Sequence, residues 1–94
     1  GLVRSVAHEV AKSGVSCNAI CPVYVDTPLA EEAIGNVMKA RSVDRDDAIR
    51  MLVSGNPVGR MITAQEVADA ALYLASPGAA MVNGHTLTLS GGEI

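Results

Sequence analysis

Apolar residues recur at helical spacing from the first positions of the chain. Leu2, Val3, Val6, Ala7, Val10 and Ala11 form one stripe, and Arg4, Ser5, His8, Glu9 and Lys12 occupy the other side, so residues 2–13 are predicted helical. Gly14 stands where a helix end favours positive φ. Val15–Cys21 is mostly apolar on both faces, with Asn18 as the exception, the pattern of an interior strand of a parallel sheet. Pro28, with Thr27 at the cap position before it, opens a second helix to about Lys39, whose apolar side is Leu29, Ala33, Ile34, Val37 and Met38. A polar stretch, 40–47, leads into a short helix near 48–53, stopped by Gly55, Asn56 and Pro57. Thr63-Ala-Gln-Glu66 is a capping box, and the apolar positions after it predict a helix over 64–75, ended by Ser76-Pro77-Gly78. Residues 85–90 alternate strictly and predict a strand closed by Gly91-Gly92. A hairpin turning at Asn83-Gly84 is the competing reading of 80–87.

The order helix, strand, helical excursion, helix, strand is the tail of a doubly wound α/β fold, the C-terminal part of a Rossmann-like parallel sheet. Two strands do not complete such a sheet, so the remainder is expected from chain upstream of Gly1. Composition agrees. Of 94 residues 49% are hydrophobic, yet there is no Phe or Trp and only two Tyr, which implies apolar surfaces that meet other parts of a larger body.

Net charge is −3, and no segment concentrates Lys and Arg, which argues against a nucleic-acid partner. No apolar run reaches the length of a membrane span. Cys17 and Cys21, on one face of an extended strand about 13 Å apart, do not bond to each other. They read as two buried thiols of a cytoplasmic protein, and without His partners nearby they make no metal site.

The candidate chemistry lies after the first strand, in Pro22-Val-Tyr-Val-Asp-Thr27. Ligands of open α/β sheets gather beyond the carboxyl ends of the strands. Pro22 fixes the exit direction. The peptide groups of Val23 to Val25 are placed to offer donors and acceptors to a planar amide. The Thr27 hydroxyl sits at a helix N-terminus, where it either meets an anion or caps the helix. Other polar residues are less promising. His8 and His85 have no partner at ligand spacing. Glu31 and Glu32 diverge around a helix and suit its first turn better than acid/base work. Arg60 reads as an anchor for the end of the helical excursion, ahead of a role in substrate recognition. Met38, Met51, Met61 and Met81 read as flexible filler of core and pocket walls.

Val15-Ser-Cys-Asn-Ala-Ile-Cys-Pro22, Thr27-Pro28, Asn56-Pro-Val-Gly-Arg60, Glu66-Val67-Ala68 with Tyr73-Leu74, and Gly84-His-Thr-Leu-Thr-Leu-Ser-Gly-Gly92 occur in an order and spacing that resembles the C-terminal portion of a classical short-chain dehydrogenase/reductase. The resemblance covers essentially the whole chain. It implies one NAD(P)-binding domain of which residues 1–94 are the C-terminal segment, with a substrate flap at about 28–55. It also implies that the Val25 backbone holds the carboxamide of NAD or NADP, that Thr27 bonds the carboxamide or the pyrophosphate, and that Pro22 shapes the turn. Val23 stands where the family usually has Gly and is carried over as a cofactor contact with them. Tyr24, Leu29, Ala33, Ile34 and Val37 correspond to the flap over a small-molecule alcohol or ketone, and the lack of a cation among them leans toward a 3-oxoacyl or polyketide-like ketone. A homo-oligomer, dimer or tetramer, built on residues 2–13, 64–75 and 85–90 is implied as well. The family's catalytic Ser, Tyr and Lys and its glycine-rich loop are absent, since Tyr24 and Tyr73 are followed four residues later by Pro28 and Pro77. This segment is therefore expected to be inactive alone. The alternative reading is a non-catalytic α/β interaction module that docks through its apolar surfaces.

Overall fold

The computed structural model describes residues 1–93 and divides into two compact units. The first joins Gly1–Cys21 to Gln65–Leu89, and the second joins Pro22–Ala64 to the residues from Ser90 onward.

In the first unit, helix α1 spans Leu2–Val10 and tightens into a 3-10 turn over Ala11–Ser13, ended by Gly14 at φ 74°. Only glycine adopts that left-handed conformation cheaply. Strand β1 is Ala19–Pro22 and strand β2 is Thr86–Leu89, paired in parallel. Strand β1 is shorter than the sequence pattern implies. Asn83 Oδ1 accepts from the Cys17 N–H (2.9 Å), and Asn18 Oδ1 accepts from the His85 N–H (2.9 Å), so side-chain amides replace ladder bonds there. Regular pairing begins where they end, with Ala19 N–H donating to His85 C=O at 2.9 Å. The hairpin reading fails for the same reason: Gly84 donates to Cys17 C=O rather than folding 80–82 back onto 85–87.

Strand β1 is half-buried to exposed, not sandwiched on both faces. The two thiols are free, and Cys21 is exposed, so the expectation of two buried cysteines does not hold. Strand β2 alternates in burial as its sequence alternates. Helix α4, Ala64–Ala75, starts directly after Thr63 as the capping box predicts, and Pro77–Ala79 forms a 3-10 turn after it. Met81 is 95% exposed in the turn that follows, and Met51 is exposed as well, so neither fills a core.

In the second unit, helix α2 spans Pro28–Arg41 and helix α3 spans Arg45–Leu52, packed against each other. Helix α3 begins three residues earlier than expected. Asp44 is its cap, accepting from the Asp47 N–H at 2.8 Å, and this cap lies hidden in a run of charges. The core of the unit is Ala30, Ile34, Ala48, Val53 and Ile62, with Ile34 the largest side chain buried completely.

Arg45 grips Glu31 through both guanidinium nitrogens, tying the start of α3 to the first turn of α2. That hydrogen bond, more than the attraction of the charges, holds the Glu31 carboxyl below its ordinary value of 4.5. A carboxyl lowered in the folded state contributes stability above its unfolded pKa and loses it as pH falls through the folded one. Thermal melts of the parent and a Glu31→Gln variant should therefore differ above the ordinary Glu range and converge below it. Both side chains are about half exposed, 48% and 51%, so the difference should be small. A gap that does not change with pH would contradict this.

Candidate functional site

Tyr24 to Asp26 run alongside Ile62 as a short parallel bridge centred on Val25 and Ile62. Ile62 N–H donates to Tyr24 C=O (2.8 Å), and Asp26 N–H donates to Ile62 C=O (2.7 Å). In extended backbone, successive residues present their N–H and C=O groups to opposite sides. The Tyr24 C=O and the Asp26 N–H are therefore spent on Ile62, while Val25 turns its N–H and C=O the other way. Among the described residues, the Val25 N–H has no hydrogen-bond partner. A donor and an acceptor side by side match a primary carboxamide, which offers one of each.

Thr27 stands at the N-cap of α2 with extended backbone, φ −139° and ψ 167°, and Pro28 follows it in the helix. Its hydroxyl makes no capping bond. The Ala30 N–H, which a threonine would ordinarily cap, already donates to the Thr27 carbonyl at 2.9 Å, and Pro28 has no N–H to offer. The hydroxyl leans instead toward Val25 C=O at 3.5 Å. Of the two sequence readings of Thr27, cap and ligand contact, the cap geometry is not realised by the side chain.

A cavity of about 680 Å³ adjoins these groups, lined by Pro22 to Val25, Thr27, the first turns of α2, the end of α3, Asn56 and Glu93. Such a volume suits a small organic ligand. Pro22, Val23, Val25 and Thr27 come together on its wall with Tyr24, Leu29 and Ala33. Leu29 is 79% exposed, an apolar side chain held at the rim. Ile34 and Val37 stay outside the lining: Ile34 is 1% exposed and fastens α2 to the core beneath. Two of the polar residues on the lining, Glu32 and Glu93, are acidic, and no Lys or Arg joins them. Arg60 lies outside it and donates to Met61 C=O at 3.0 Å.

The comparisons with known proteins decide the lineage. The family model described as enoyl-(acyl carrier protein) reductase matches residues 1–93. This chain belongs to the short-chain dehydrogenase/reductase family. Among curated relatives, a D-beta-hydroxybutyrate dehydrogenase of Rhizobium meliloti is 42% identical over 98% of this chain and 36% of its own length. A putative ketoacyl reductase of Streptomyces coelicolor is 33% identical over 98% of this chain and 35% of its own. Among solved structures, a short chain dehydrogenase family protein of Francisella tularensis superposes with a TM-score of 0.90 at 26% identity, covering 98% of this chain and 38% of that one. An actinorhodin polyketide ketoreductase variant with NADPH superposes with a TM-score of 0.86 at 33% identity, covering 98% and 35%. The chain thus spans about a third of the length of the short-chain dehydrogenase/reductases it matches.

The residue that sequence reasoning passed over is Asn56. It entered only as a helix stop and as part of a string of motif residues, yet it is 4% exposed and is the buried polar residue of the chain among those described. Asn followed by Pro-Val-Gly marks a turn in the sequence, because Asn at the start of a turn bonds to backbone two residues on, but its burial shows only in the structure. No group of three or more His, Cys, Asp or Glu among the described residues could hold a metal ion, and no helix is long and apolar enough to cross a membrane.

Proposed function

We propose that this chain is the nicotinamide-side wall and substrate flap of an alcohol/ketone oxidoreductase using NAD or NADP, in a longer protein whose upstream portion supplies the acid/base groups and the phosphate-binding loop. The observation that carries the reading is the Val25 backbone, whose N–H and C=O face away from Ile62 on the wall of a ligand-sized cavity. Family membership and a structural relative with NADPH support it. The dinucleotide, when bound, supplies or accepts the hydride. The chain's own residues bind and orient. Val25 N–H donates to the carboxamide oxygen, and its C=O accepts from the carboxamide nitrogen. The Thr27 hydroxyl, released from capping, donates to the carboxamide or pyrophosphate at the positive end of α2. Tyr24, Leu29 and Ala33 cover the substrate and exclude water.

The substrate on this reading is an uncharged ketone such as a 3-oxoacyl thioester or a polyketide-like ketone. A free carboxylate entering beside Glu32 and Glu93 meets like charge and no cation. Assembly as a dimer or tetramer is part of the proposal, supported by exposed apolar residues on α1 and α4 such as Leu2 and Leu72. Two free thiols fit a cytoplasmic setting.

The test is dinucleotide titration and hydride-transfer kinetics on the protein joined to its upstream portion. We expect NAD(H) or NADP(H) to bind, and kcat/KM for a 3-oxoacyl thioester to exceed that for the free 3-oxo acid of equal length by about tenfold or more, the scale of one unfavourable charge contact. Equal values would overturn the substrate class, and failure to bind either dinucleotide would overturn the whole reading.

A further inference from the structure

Val25 can read a carboxamide only while Tyr24 and Asp26 stay paired to Ile62, so whatever fixes Ile62 fixes the reader. The five residues before it wrap around one side chain. Asn56 Oδ1 accepts from the Val58 N–H at 2.9 Å, and Asn56 Nδ2 donates to Arg60 C=O at 3.0 Å. The Asn56 backbone is held in turn, its N–H donating to Val53 C=O and its C=O accepting from the Gly59 N–H, each at 2.9 Å. Gly59, at φ 79°, gives the turn its left-handed step. Gly91 leaves room for the amide: a Cβ there would fall on Asn56 Oδ1 and 2.7 Å from Asn56 Cγ. Asn56 thus connects the end of α3, through its backbone N–H, to Arg60, through its side-chain amide, two residues from the Ile62 bridge.

We infer that Asn56 is a positioning residue for the dinucleotide: its side-chain amide holds the 56–62 turn so that Ile62 presents the Val25 N–H and C=O in register for the nicotinamide carboxamide. This rests on the proposed role of Val25. It assigns to Asn56 an effect on the nicotinamide half of the ligand and none on the adenosine half.

Asn56→Asp tests the link. It keeps the acceptor for Val58 N–H and replaces the donor to Arg60 C=O with an oxygen that repels it. Asn56→Ser is the milder variant, polar but too short to span the turn. The probes are the reduced dinucleotide and ADP-ribose, which lacks the nicotinamide, titrated into the protein with its upstream portion present. We expect both variants to raise the dinucleotide Kd about tenfold, the scale of one lost hydrogen bond in a ligand contact, and to leave ADP-ribose binding within about twofold. A purely structural role would move both probes together or neither. Val25→Pro, which deletes the reading N–H directly, separates the two claims. If it weakens the dinucleotide and the Asn56 variants do not, the inference about Asn56 falls alone. If it too leaves the dinucleotide unchanged, the reading of Val25 falls with it. Loss of ADP-ribose binding in both Asn56 variants would make Asn56 a folding residue and overturn the inference.

Discussion

An Ile34→Ala protein should lose about 2–4 kcal/mol of stability, the range for emptying a buried aliphatic site. Ile34 is 1% exposed and is the largest side chain buried completely. Its unit has no Phe or Trp, and its other buried positions include Ala30 and Ala48, which have no side-chain freedom with which to close a gap. The hole left by three carbons should therefore persist. Helix α2 positions Tyr24's neighbours on the cavity wall, so loosening its anchor should also weaken substrate binding. Leu29→Ala is the contrast: Leu29 is exposed at the cavity rim, and its removal should change stability by no more than about 0.5 kcal/mol. Denaturant melts on both variants would check this. A loss below 1 kcal/mol for Ile34→Ala would show that the core relaxes.

The second large effect belongs to Thr27. Its hydroxyl makes no cap bond, so Thr27→Val should stay within about 0.5 kcal/mol of the parent, where a true cap would cost about 1 kcal/mol. Dinucleotide binding should nevertheless fall about tenfold. Thr27→Asp should preserve stability too, since Asp serves well at an N-cap. On the proposed reading it also sets a carboxylate beside the nicotinamide–pyrophosphate region of the dinucleotide, and binding should fall by about a hundredfold, the scale of a contact turned from favourable to repulsive. Affinity and stability should move independently in both variants. Equal binding by parent, Val and Asp proteins would reduce Thr27 to a position on the cavity wall.

Much of this architecture is legible in the residues. The capping box at Thr63 and Glu66 gives the start of α4, Pro28 gives the start of α2, and Gly14 marks the left-handed end of the first helical segment. These are local decisions, made by a few atoms within one turn. The errors lie where distant residues intervene. Val15 to Asn18 has the composition of strand, but the amides of Asn18 and Asn83, 65 positions apart, take over the ladder bonds. The apolar side of α2 reads as one stripe, yet packing divides it, with Ile34 in the core and Leu29 and Ala33 on the cavity. Asn56 could not be ranked from sequence because its importance lies in which carbonyl it reaches and in the glycine that leaves space for it. The direction in which Val25 turns its peptide groups likewise depends on Ile62, 37 positions later.

That direction is the centre of the account, and one substitution addresses it. Val25→Pro removes a single N–H that has no partner among the described residues and keeps the C=O, while the Tyr24 and Asp26 bonds to Ile62 do not involve the lost hydrogen. With the upstream portion present, the reduced dinucleotide should bind Val25→Pro about tenfold or more weakly than the parent, and ADP-ribose should bind the two alike. Unchanged affinity for the reduced dinucleotide, in a variant that binds ADP-ribose as the parent does, would contradict the assignment of Val25 as the residue that holds the nicotinamide.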